Sequence, residues 1–87
     1  MFKIVKNIID EWDPIELLAM HCPPDEYDIE IKEIMNFLNK ETKLEELSAK
    51  IYYIFLDYFG DDTFTKTKEE CSIIADKIIQ ETKKYII

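Results

Sequence analysis

Apolar positions recur along this chain at intervals of three and four, the spacing of a helical stripe and not the alternation of a strand. Phe2, Val5, Ile8, Ile9 and Trp12 fall on one face of a first helix over about residues 2–12, and Lys3, Lys6, Asn7, Asp10 and Glu11 face away. Ile31, Ile34, Met35 and Leu38, with Phe37 beside them, form the stripe of a helix from Ile29 to Asn39. A longer helix from Lys43 to Phe59 turns Leu44, Leu47, Ile51, Ile54, Phe55 and Tyr58 toward the core, with Glu46, Lys50, Tyr53 and Asp57 outside. The last, from Lys68 to about Tyr85, is lined by Cys71, Ile74, Ala75, Ile78, Thr82 and Tyr85.

The punctuation between stripes fits this division. In "DP", Asp13 suits a cap and Pro14 the first turn, where its missing N–H costs nothing, so a short helix from Pro14 to about Met20 is expected. "CPP" ends it, because a residue before proline avoids helical angles. Asp28 is a candidate cap for the next helix. Thr42 with Glu45, and Thr67 with Glu70, read as capping boxes, and Gly60 as a C-terminal stop. The expected fold is all-α: one domain over residues 1–87, a small bundle of four main helices plus one short helix after the first.

With 87 residues, 47% of them hydrophobic, the chain can fill one small core without a metal or a disulfide. No run of eighteen apolar residues and no signal-peptide pattern is present, so a cytoplasmic location is expected, with Cys22 and Cys71 reduced. The charge changes the picture further. Nineteen acids face eleven lysines and no arginine, net −8. Such a chain is poorly suited to nucleic acid or an anionic membrane, and favours a basic protein as partner.

Chemistry is sparse. His21 is the only histidine, no serine is placed beside it, and there is no glycine-rich phosphate loop. "HC" at 21–22 lacks chelating spacing, and no C-x-x-C occurs. "GDDTFTKTKEE" lacks the ligand rhythm of a calcium loop. The expectation is a non-enzymatic protein with no metal and no cofactor. A carboxylate/His-based enzyme or metal-binding protein is the competing class. The stretch "DPIELLAMHCPPDEYDIEI" at 13–31 does concentrate six carboxylates. Asp13, Asp25, Glu26 and Asp28 around Tyr27 read either as caps offsetting helix dipoles or as an acidic docking patch anchored by an aromatic. Tyr53, on the polar stripe of its helix, is a second candidate anchor. Ile86 and Ile87 give an apolar C-terminus that could pair across a homodimer, so monomer and weak homodimer both stay open.

Three blocks, "EWDPI" at 11–15, "PPDEYDIEI" at 23–31 and "YFGDD" at 58–62, resemble in order and spacing the YugE-like family of small uncharacterised bacterial helical proteins. The resemblance implies an all-α fold and a low-GC bacterial source, and no assigned activity. A fainter resemblance is to immunity proteins that neutralise bacterial toxins. These are also small, acidic and helical, with paired tyrosines among acids; here "YY" at 52–53 lies inside a helix with no proline after it. The functional expectation is a protein-interaction module for a basic partner, with toxin immunity as the alternative.

Overall fold

The computed structural model describes residues 1–23, 25–83 and 85. Among them run four helices: α1 (Phe2–Trp12), α2 (Asp28–Phe37), α3 (Leu44–Phe59) and α4 (Lys68–Thr82). Neighbours in the bundle are α1–α2, α2–α3, α3–α4 and α4–α1, which closes the ring. Val5 and Ile9 of α1, Ile31 and Ile34 of α2, Leu47, Ile51 and Phe55 of α3, and Cys71, Ala75 and Ile78 of α4 are fully buried at its centre. Each set keeps the three-and-four spacing that marked its helix.

At one end the core is aromatic. Phe55 stacks on Phe59 and Phe64, with centroids 6.0 and 5.6 Å apart. Trp12 meets Phe55 and Phe64 edge-on, and Tyr27 does the same to Phe55 and Phe59. Trp12 thereby bridges the α1–α3 diagonal. Phe64 is buried although it lies in the loop before α4.

The expected short helix over 14–20 is not formed. Asp13 ends α1 in the left-handed region (φ 46°, ψ 62°), and Glu16 and His21 also take positive φ, which no α-helix accommodates. The segment is instead a run of turns, closed by Glu16 N–H to Asp13 O at 3.0 Å and Cys22 N–H to Leu17 O at 3.0 Å. Asp13 does take up backbone N–H groups, but from Leu18 (3.1 Å) and Ala19 (2.9 Å), five and six residues on. A cap would have bound two or three residues on.

Other boundaries shift by less. Asp28 is the first helical residue of α2, not its cap, and pairs with Lys6 at 2.8 Å. Glu46 accepts from Lys43 N–H (3.1 Å), so the start of α3 lies one residue beyond the Thr42 frame. Thr42 instead ties the preceding turn, accepting from Asn39 N–H at 2.8 Å. Thr67 caps α4 as expected, accepting from Glu70 N–H at 3.1 Å. Gly60 ends α3 at φ 80°, where a side chain would be strained. Tyr58 and Tyr85, both expected on inner faces, are half-exposed. Ile86 and Ile87 lie outside the described residues.

Neither cysteine is in a disulfide. Burial, with the nearby Glu70 charge, pushes the Cys71 thiol up to about 11, whereas Cys22 is only half-buried. Because the thiolate is the reactive form, iodoacetamide on the native protein is expected to label Cys22 first, and Cys71 only after denaturation. Peptide mapping of a time course checks this. Equal labelling rates would contradict it.

Candidate protein-binding face

The residues singled out in the 13–31 stretch separate in the fold. Tyr27 is fully buried and is not an exposed anchor. It continues the core stripe of α2 backwards, with Ile31 and Ile34 four and seven residues on. Its hydroxyl donates to Asp13 Oδ1 at 2.6 Å and accepts from the N–H groups of Ile15 (3.3 Å) and Leu17 (3.4 Å). Asp13 is therefore enclosed by Tyr27 Oη and the Leu18 and Ala19 N–H groups. Partial burial works to raise its pKa, but these hydrogen bonds outweigh it and hold the carboxyl below its ordinary value. Burial, and then the Asp13 carboxylate, push the Tyr27 phenol far upward. Asp13 and Tyr27 form a structural knot, not a docking surface.

Asp25 and Glu26 are exposed in the turn before α2. Asp28 is turned toward α1 by Lys6. Tyr53, half-exposed, lies edge-on to Tyr52 and lines a cleft between α3 and α4 with Ser48, Ala49, Lys68 and Ser72. It is thus separated from the acidic turn. His21 is exposed, and among the described residues no three of His, Cys, Asp and Glu converge as metal ligands.

A different set does converge. Glu30, Glu33 and Phe37 follow one another at intervals of three and four on the flank of α2 that faces α3, and Glu26, in the turn before α2, adds its charge to that of Glu30. The Tyr58 hydroxyl of α3 lies against the Glu33 carboxylate, which raises its pKa, with Glu30 close enough to add to the effect. Farther along, Lys50 Nζ sits over the Phe37 ring, 5.7 Å from its centroid. These two contacts run in opposite chain directions, so α2 and α3 are antiparallel. Glu33, Asn36, Phe37 and Lys50 line a cavity of about 220 Å³ between them.

Glu30 is the unusual member. It is only 3% exposed, and among the described residues its Oε1 has no hydrogen-bond partner; nor has the buried Oε2 of Glu33. Burial first, and then the charges of Glu33, Glu26 and Asp28, raise the Glu30 pKa. Lys6 forms ion pairs with Asp10 and Asp28, on the α1 side of α2. This flank is thus an acidic stripe with two orphaned carboxylate oxygens, and the half-exposed Tyr58 lies beside it. Sequence reasoning missed Glu30, Glu33 and Tyr58. The three-and-four spacing of the glutamates was the signal that could have found the first two.

The three blocks that carry the family resemblance meet at the aromatic end: Trp12, Asp13 and Ile15 from the first, Tyr27 from the second, Phe59 and Gly60 from the third. Among the described residues no helix is long and apolar enough to cross a membrane. Searches of curated proteins and of solved structures found no match. A family model does match, over residues 3–84, and the chain belongs to that family, a domain of unknown function (DUF1871).

Proposed function

We propose that this protein is a non-catalytic, cytoplasmic interaction module that receives a basic protein on the α2–α3 flank. The observation that carries the reading is the acidic stripe of Glu26, Glu30 and Glu33 beside the exposed Tyr58, on a chain of net charge −8. Long-range attraction steers a basic partner to the stripe, and Tyr58 supplies an aromatic contact within a charged rim. Toxin neutralisation is a special case in which the basic partner is a toxin. The half-exposed Tyr53 beside Tyr52 is the feature on its side. The YugE-like likeness within the family is part of this proposal, and its blocks are read as supports for the fold.

The test is retention of proteins from the native lysate at low and at high salt. The control bait carries Asp25→Asn, Glu26→Gln, Glu33→Gln and Tyr58→Ala. A basic protein held at low salt, released at high salt and recovered at least about tenfold less by the control is the expected result. Equal recovery by both baits would remove this flank as the docking surface.

A further inference from the structure

We propose that an arginine of that basic partner enters between Glu30 and Glu33, its guanidinium replacing the Tyr58 hydroxyl against Glu33 and joining the two orphaned carboxylate oxygens. The inference rests on the docking reading above and names the contact at its centre.

Two carboxylate oxygens without partners, one on a side chain 97% removed from solvent, ask for a donor with more than one N–H. Among the described residues no cation fills that role. The sequence has no arginine, Lys6 is engaged on the α1 side, and Lys50 rests over Phe37 without an ion pair to Glu33. A divalent metal is a poor fit, because no three possible ligands converge among the described residues. A guanidinium fits better. Its planar fork presents several N–H groups at once, it is more weakly hydrated than an ammonium, and its faces stack on aromatic rings. The Tyr58 ring offers such a face, and the cavity beyond Glu33 leaves about 220 Å³ for movement of the side chains that line it. Tyr58 is half-exposed, so it can swing outward without uncovering the core.

The probe is the blocked tripeptide acetyl-Gly-Arg-Gly-amide, with its lysine counterpart, titrated into the full chain carrying ¹³C-labelled glutamate. The Glu30 and Glu33 side-chain carboxyl signals are expected to move together and to saturate, with the lysine peptide at least about tenfold weaker. Glu30→Gln, which keeps the shape of the side chain, should weaken the arginine peptide by a similar factor. Tyr58→Phe, which removes the competing donor, should tighten it; weakening instead would overturn the displacement of Tyr58. Saturable movement of Glu26 alone, unaffected by Glu30→Gln, would overturn insertion and leave docking on the surface intact. Movement of no carboxyl at all would also overturn insertion, and the lysate experiment would judge docking by itself. Equal movement of Glu30 and Glu33 with magnesium alone would overturn the guanidinium assignment in favour of a metal.

Discussion

Asp13→Ala is expected to remove about 3 kcal/mol of folding stability, the largest loss from any single polar side chain here. The carboxylate accepts from two backbone N–H groups and from the Tyr27 hydroxyl. A hydrogen bond to a charged group contributes roughly 1.5–3 kcal/mol, and partners stranded in a half-buried turn add their own cost. Against a total on the order of 4–13 kcal/mol for a chain of this length, that is a severe loss. Tyr27→Phe should cost about 2 kcal/mol, since it orphans the Ile15 and Leu17 N–H groups and takes one donor from Asp13. The double variant should fall short of the sum by at least about 1 kcal/mol, because the two side chains share one bond. Denaturant unfolding of the four proteins measures this. Strict additivity would mean that the knot is two separate contacts. The pH dependence has a definite sign. The folded-state pKa of Asp13 is lowered, so its contribution is present above the ordinary value near 3.8 and is lost as pH falls through the folded value. The gap between wild type and Asp13→Ala should therefore narrow in acid.

The four helices were legible because each buries one stripe, and a stripe of period 3.6 is visible in one dimension. The segment from 13 to 27 was not. "DP" is a local signal for a helix start, and it was overridden by a contact from Tyr27, fourteen residues past Asp13, which holds the chain in turns. Tyr27 itself was misplaced because its neighbours Asp25, Glu26 and Asp28 are charged. Its spacing of four and seven from Ile31 and Ile34 carried the truer information. Tyr58 shows the opposite failure. It is in phase with Leu47, Ile51, Ile54 and Phe55, but at that end of α3 the facing flank of α2 presents Glu30 and Glu33 rather than apolar side chains. Helical phase says which side of α3 points inward, and not what α2 offers there. Phe64 had no stripe to betray it, being a core residue delivered by a loop.

This division bears on function. The residues shared with the family resemblance serve the aromatic end and the Asp13–Tyr27 knot, which explains them without any activity. The acidic flank has no such structural account. Glu26, Glu30 and Glu33 crowd like charges along one stripe, and Glu30 does so inside the protein. A group that weakens the fold where it stands is the kind of feature a binding partner, and not the fold, accounts for.

Glu30→Gln is accordingly expected to stabilise the protein at neutral pH, by about 1–3 kcal/mol, the cost of leaving a buried polar group unsatisfied. Burial and the charges of Glu26, Asp28 and Glu33 from its own helix raise its pKa; across from it, α3 brings Tyr58, itself against Glu33, and Lys50 without an ion pair to Glu33. Because the folded-state value lies above the ordinary one near 4.5, the protonated acid fits the fold and the carboxylate does not. Stability linked to Glu30 is thus complete below about pH 4.5 and is lost as pH rises through the folded value. Glutamine carries no charge to lose, and its amide has N–H groups to offer the orphaned Oε2 of Glu33. The gain should be close to nil at pH 4, grow above pH 4.5 and level off beyond the folded-state pKa. For a domain of this size it corresponds to several degrees in Tm at neutral pH. Thermal unfolding of both proteins from pH 4 to pH 8 tests it. A variant destabilised equally at every pH would make Glu30 an ordinary packing residue. A variant that is more stable yet binds the arginine peptide less well would identify Glu30 as a carboxylate kept for binding at the expense of the fold.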